Sequence, residues 1–216
     1  MGYRAVCFDF DYTLADATDS IVAGFRHAMT TMGYPEPERE AIRATIGYML
    51  EDGYSILASD RTPEGRARFR ELYLEVALPI QLKGIPLFPG AAELLRGLKA
   101  RGIKVGIVSS RRLPAIQQTM EQEGLLDCLE FIIGGEHVHK PKPDPQGLLE
   151  AMKRLDVAPK EFLYCGDTVL DAGAARNAGC PFCAVLNGTT AAAEFAPYPA
   201  VHTAPDLFEL ARWLEL

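Results

Sequence analysis

Ala5-Val6-Cys7-Phe8-Asp9-Phe10-Asp11-Tyr12-Thr13-Leu14 opens the chain with a short apolar run that ends in two carboxylates one residue apart. The run from Ala5 to Phe8 reads as a buried strand. Side chains alternate along an extended backbone, so Asp9 and Asp11 lean to the same side as long as the strand geometry persists. Two acids at the carboxyl end of a strand, with no basic residue beside them, repel unless a cation or a bound proton relieves them. A metal site would use such a pair, and so would a nucleophile with a neighbouring acid/base. A strand that simply ends in an aspartate turn would also produce it.

Downstream of Leu14 the apolar spacing changes from strand to helix. Ile21, Val22, Phe25, Met29 and Met32 share one face of a run from Ser20 that Gly33 stops. Further helical runs follow near Glu38 to Thr45 and Met49 to Ala58, and another opens at the cap-and-proline pair Thr62-Pro63. Nothing strand-like interrupts them, so residues 16–83 read as a helical unit inserted after the first strand. From Ala91 onward helices and apolar strands alternate. Strands are expected at Ile103–Val108, Leu129–Ile133, Glu161–Cys165, Phe182–Leu186 and, weakly, Ala200–His202. Helices are expected at Ala91–Ala100, Leu113–Glu123, from Asp144-Pro145 to Leu155, at Leu170–Ala178 and after Asp206. Such alternation with continuous apolar strands predicts an α/β fold: a Rossmann-like parallel sheet with helices on both faces, formed by residues 1–15 and 84–216.

The chain of 216 residues is long enough for one good core plus a smaller inserted unit. A formal charge of -7 argues against nucleic acid or an anionic membrane as partner. No run reaches the length of a membrane span, and no leader pattern is expected because Asp9 and Asp11 interrupt the first apolar stretch. Five scattered cysteines fit reduced thiols and a cytoplasmic setting. Cys180 and Cys183 have C-x-x-C spacing, but they enter a strand rather than open a helix, which argues against a redox role.

In open α/β sheets ligands sit beyond the carboxyl ends of the strands. Those ends deliver Asp9, Asp11 and Thr13; then Ser109-Ser110-Arg111; then His137 to Pro143, with Lys140 and Lys142; then Gly166-Asp167-Thr168 with Asp171 four residues on; then Asn187-Gly188-Thr189. Hydroxyls, a lysine and two further acids thus gather on one rim. His137 and His139 lack partners for a zinc site and read as exposed loop residues.

Asp9-Phe-Asp11-Tyr-Thr13, Ser109 after an apolar strand, Lys140-Pro-x-Pro and Gly166-Asp167-x-x-x-Asp171 together resemble the haloacid dehalogenase superfamily, in its order and spacing over nearly the whole chain. The inserted helices resemble the cap of its phosphoglycolate-phosphatase and β-phosphoglucomutase branch. The resemblance implies that Asp9 is a nucleophile forming an aspartyl-phosphate and that Asp11 is a general acid and base. Dehalogenase members lack an acid at the position of Asp11; a halide needs no proton and an alkoxide does, so phosphoryl transfer is favoured. Phosphate contacts are implied for Phe10, Thr13, Ser109, Ser110 and Lys140, with Lys140 also holding Asp9 ionised. Spacing to Pro141 and Pro143 favours Lys140 for that role and leaves Lys142 on the surface. A Mg2+ ion is implied on Asp9, Asp167 and the main-chain carbonyl of Asp11. Asp171 would orient Asp167 or a bound water.

Two departures stand out: Tyr12 where many relatives carry glycine, and Ser110 where asparagine is common. Substrate reading is expected from the cap, with Arg26, His27, Arg43, Thr45 and Glu51 as candidates and Gly47 allowing close backbone approach to a ligand. The expected substrate is a small phosphorylated metabolite, phosphoglycolate or a sugar phosphate, hydrolysed by a monomer or homodimer. A phosphomutase, a pyrophosphatase and a non-catalytic phosphate-binding module are the alternatives.

Overall fold

The computed structural model of the chain describes residues 2–216. In chain order the elements are β1 (Ala5–Phe8), α1 (Thr18–Thr31), α2 (Arg39–Arg43), α3 (Leu50–Ala58), α4 (Pro63–Gln81), α5 (Ala91–Ala100), β2 (Lys104–Val108), α6 (Leu113–Gln122) and β3 (Phe131–Ile133). They continue with α7 (Gln146–Leu155), β4 (Phe162–Gly166), α8 (Val169–Ala178), β5 (Phe182–Val185), β6 (Ala200–Ala204) and α9 (Leu207–Trp213). Among the described residues the sheet has six strands in the order β3-β2-β1-β4-β5-β6, all pairs parallel. This is the doubly wound arrangement expected from the alternation of elements.

Alternation along β1 divides its side chains between two cores. Val6 and Phe8 join Leu94, Leu98, Ile107, Ile116, Leu207 and Leu210 on the face covered by α5, α6 and α9. Ala5 and Cys7 join Leu148, Met152, Tyr164 and Ala175 on the face covered by α7 and α8. With the pattern running 2-1-4 at the centre, the chain leaves β1 in one direction and returns to β4 on its other side. The crevice at this reversal, above Phe8 and Gly166, is where doubly wound sheets take ligands.

The four helices α1 to α4 pack on one another over Phe25, Tyr54, Phe69 and Tyr73, whose rings meet at 4.6 to 6.0 Å. Thr62 caps α4 by accepting from the Gly65 amide at 3.1 Å. The two connections to the sheet run side by side: the Asp16 amide donates to the Pro86 carbonyl and the Phe88 amide to that of Leu14. Apolar contact continues from Phe10, Leu14 and Ile85 into the helices, so one apolar cluster runs from the α5–α6–α9 core into the helical unit.

Element ends differ from the sequence expectation by one or two residues. The strand expected from Leu129 begins at Phe131, because Leu126–Cys128 form a 3-10 turn first. The strand expected to end at His202 runs to Ala204, and Asp206 caps α9 by accepting from the Glu209 amide at 2.7 Å.

Candidate active site

The site begins where β1 stops. The Asp9 amide donates to the Cys165 carbonyl at 2.9 Å, which pins the end of β1 to β4 and sets the Asp9 carboxyl in the crevice, 1% exposed. The chain then turns sharply, with the Phe10 carbonyl accepting from the amides of Thr13, Leu14 and Ala15. Tyr12 sits at this turn with φ 57°, a left-handed conformation that glycine reaches without strain. That explains why a glycine suits the position; here the tyrosine hydroxyl makes use of it, meeting Thr18 Oγ1 at 2.8 Å and accepting from Arg43 Nε at 2.9 Å.

Across the crevice, β4 delivers Asp167, 2% exposed, whose Oδ1 accepts from Thr13 Oγ1 at 3.2 Å. Asp171 follows in the first turn of α8. Its Oδ2 accepts from the Thr168 amide and hydroxyl, closing a capping box, and its Oδ1 lies 3.0 Å from the Tyr164 hydroxyl. Single oxygens of Asp9, Asp167 and Asp171 all lie within 4.8 Å of one another.

Lys142 carries the positive charge here, and Lys140 does not. The Lys142 ammonium is 2.5 Å from Asp171 Oδ1 and 3.2 Å from Asp9 Oδ1, with its side chain 7% exposed. Lys140 is exposed, and only its backbone amide is held, by Gln146 Oε1. The expectation that chose Lys140 is corrected: each lysine precedes a proline, so spacing cannot separate them, whereas a lysine buries only where carboxylates receive it.

Other expected contacts are also relocated. The Ser110 hydroxyl donates to the Gly47 carbonyl at 2.9 Å, tying the cap loop to the sheet instead of facing a phosphate. The Phe10 side chain is wholly buried in the core, so only its main chain could meet a ligand. Gly47 does bring backbone close, but to Thr168: a Cβ there would stand 2.8 Å from Thr168 Cγ2. Of the cap candidates, Thr45 lines the cavity over the site. Arg26, His27 and Glu51 pair instead with Glu36, Glu75 and Arg70, and Arg43 lies over the Tyr12 ring. The His137 ring caps its own turn, accepting from the Gly134 amide at 3.0 Å.

Arg111 is the residue whose importance the sequence understated. Its Nε lies 3.0 Å and 2.8 Å from the two oxygens of Asp11, and its Nη2 2.9 Å from Oδ1, a bidentate pair with side chains only 8% and 12% exposed. The available signal was an arginine three residues past the end of a strand whose neighbour ends in two acids. Tyr164 was hidden for a different reason: it reads as an ordinary strand aromatic until its hydroxyl is seen between Asp171 and the Val108 carbonyl.

Four buried carboxylates, Asp9, Asp11, Asp167 and Asp171, thus meet two buried cations, Lys142 and Arg111, which leaves two negative charges if all are ionised. Burial raises the Asp9 carboxyl to about 6 against the pull of Lys142, and burial with Asp171 and Asp9 nearby raises Asp167 well above the usual carboxylate range. Burial would lower the Lys142 ammonium, but Asp171 and Asp9 outweigh it and its affinity for its proton is raised. Asp9 Oδ1 makes no hydrogen bond and meets only the Lys142 ammonium, at 3.2 Å. An uncommitted carboxylate oxygen, a second acid opposite and a residual double negative charge fit a hard divalent cation held by oxygen donors. Asp9 and Asp167 have oxygens free for it, whereas those of Asp171 are taken by Lys142, Tyr164 and Thr168.

Residues 6–185 match the haloacid dehalogenase-like hydrolases. Probable phosphatase IndB of Dickeya dadantii (strain 3937) is 34% identical over 179 residues, covering 81% of this chain and 77% of that protein. Phosphoglycolate phosphatase of Escherichia coli (strain K12) is 30% identical over 204 residues, covering 82% and 79%. A solved haloacid dehalogenase-like hydrolase structure from Bacteroides fragilis superposes with a TM-score of 0.93 at 39% identity, covering 96% of this chain and 99% of that one. The chain belongs to the haloacid dehalogenase-like hydrolases. It is an enzyme of that family, on the phosphatase side of it.

Proposed function

We propose that the chain is a magnesium-dependent phosphatase that hydrolyses a small phosphorylated metabolite, phosphoglycolate- or sugar-phosphate-like, through an aspartyl-phosphate. The observation that carries the reading is Asp9: a buried carboxylate at the strand switch point, whose Oδ1 makes no hydrogen bond and faces an ammonium 3.2 Å away. Asp9 attacks phosphorus as the bond to the ester oxygen breaks, and Asp11 gives the departing oxygen its proton. Water then cleaves the acyl phosphate, with Asp11 taking a proton back. Lys142 keeps Asp9 ionised and meets the charge on the transferring oxygens, aided by the Ser109 hydroxyl and the amides after it. Asp9, Asp167 and the Asp11 carbonyl would hold the ion. When bound, magnesium supplies positive charge against the phosphate.

Residues 16–83 act as a cap over the site. The cavity between cap and sheet has a volume of about 110 Å³ and reaches from Asp9 and Ser109 to Phe25, Thr45 and Tyr73. The junctions near Asp16 and Gly84, where φ is 111° at Gly84, serve as hinges for opening. The five free cysteines, all buried, are in keeping with a reducing, cytoplasmic compartment.

The test is release of inorganic phosphate from a panel of phosphate esters with and without magnesium, alongside Asp9→Asn. The wild type should turn over at least one small ester only when magnesium is present. Asp9→Asn should lose roughly 10⁴-fold or more while keeping its circular dichroism. Isomerisation of a sugar phosphate without phosphate release would replace this reading with a mutase, and near-normal turnover by Asp9→Asn would remove Asp9 as the nucleophile.

A further inference from the structure

Arg111 creates a problem for any chemistry at Asp11. Both Asp11 oxygens are engaged by one guanidinium, at 2.8 to 3.0 Å, and the pair is nearly closed to solvent. A carboxyl held in that fork is turned to the guanidinium, so it has to leave the pair before it can hand a proton to an ester oxygen. The guanidinium borders the cavity under the cap, where the other charged lining residues are Asp9, Asp11 and Arg112. Arg112 is largely free, 61% exposed and 3.8 Å from its nearest acid, Glu136. The cap side of the cavity brings no carboxylate: it offers Ile21, Phe25, Ile46 and Tyr73 with the neutral polar groups of Thr45 and Gln81. Once the phosphate lies on Asp9, the remaining space is apolar on the cap side and bordered on the sheet side by the Arg111–Asp11 pair and Arg112.

We propose that Arg111 is the specificity residue of this site, exchanging Asp11 for a carboxylate on the substrate's leaving alcohol and so turning Asp11 toward the ester oxygen only when such a substrate is seated. The fork geometry that holds Asp11 suits any planar carboxylate equally well. The cavity of about 110 Å³ reaches from Asp9 and Ser109 to the cap side chains, so phosphate and leaving group must share it. The apolar cap lining covers the exchanged pair, which strengthens it by excluding water. This inference rests on the phosphatase reading above and adds to it the group that selects the leaving alcohol.

The experiment compares kcat/KM for two phosphate esters of equal size, one with a carboxylate on the alcohol and one with the matching carboxamide. The measurement is made on the wild type, Arg111→Gln and Arg111→Lys. The wild type should prefer the carboxylate by roughly 10- to 100-fold, the range expected for charge-assisted hydrogen bonds. Arg111→Gln should bring that ratio close to one, chiefly by raising KM for the carboxylate ester, and Arg111→Lys should restore part of it. Because each ratio is taken within one protein, any general harm from a misplaced Asp11 cancels. If Arg111→Gln does not fold, the wild-type ratio and Arg111→Lys decide. An active wild type that treats the two esters alike overturns the assignment of Arg111 alone, as does an Arg111→Gln variant that keeps the wild-type ratio. A wild type inert toward every ester overturns the phosphatase reading along with it.

Discussion

Lys142 carries its ammonium into a crevice that already holds Asp9 and Asp171, and the arrangement works only because all three are there together. Removing one partner from a buried ionic cluster leaves the others uncompensated, at about 3–5 kcal/mol. Lys142→Met should therefore lower thermal stability and also reduce turnover by roughly 10²- to 10³-fold, the scale of losing one preorganised charge contact. Lys140→Ala should leave both within error, since that side chain projects into solvent. Parallel melts and steady-state kinetics on the two variants check the assignment; equal losses would return Lys140 to the site.

Between elements, the contact of the cap loop with the start of α8 depends on a missing side chain. Gly47 has φ 103°, and a Cβ would press on Thr168 Cγ2 while the Gly47 carbonyl takes the Ser110 hydroxyl. Gly47→Ala should strain this loop by about 1–3 kcal/mol and keep the cap from seating, seen as a raised KM with kcat less affected. Within the cap, α3 is tied to the start of α4 through Asp60, which accepts from the Tyr54 hydroxyl at 2.6 Å and from the Thr62 amide and hydroxyl. The Tyr54 hydroxyl and the Thr62 donors hold the Asp60 carboxyl down at about 2. A carboxyl lowered on folding contributes stability that is complete above its unfolded value and disappears as pH falls through the folded one. The melting difference between wild type and Asp60→Asn should thus be full near pH 6 and shrink between about pH 4 and pH 2. A difference constant across that range would show that Asp60 acts through shape and not charge.

Taken as a whole, the molecule gathers like charges at one rim of its sheet, and that rim should bind metal more tightly folded than unfolded. A ligand that binds only the native state stabilises by about 2.7 kcal/mol at one hundred times its dissociation constant. Magnesium should therefore raise the melting temperature of the wild type, and Asp167→Asn should abolish the rise. This readout does not depend on turnover. A melting temperature indifferent to magnesium would argue against the ion being held by Asp9 and Asp167.

The amino-acid order alone determined the class of fold, the run of four helices inserted after β1 and the rim to which Asp9, Asp11, Ser109, Asp167 and Asp171 belong. Those follow from local periodicity and from what stands at strand ends, both of which are written along the chain. It did not determine which lysine is buried, that Arg111 closes on Asp11, that Ser110 and Gly47 join cap to sheet, or which cap side chains line the cavity. Such choices compare burial and pairing among groups from separate parts of the chain: Lys142 meets Asp171 across 29 positions, and Arg111 meets Asp11 across 100. A charge enters a low-dielectric interior only where an opposite charge already waits, and that condition exists only once β1, β2 and β4 lie side by side.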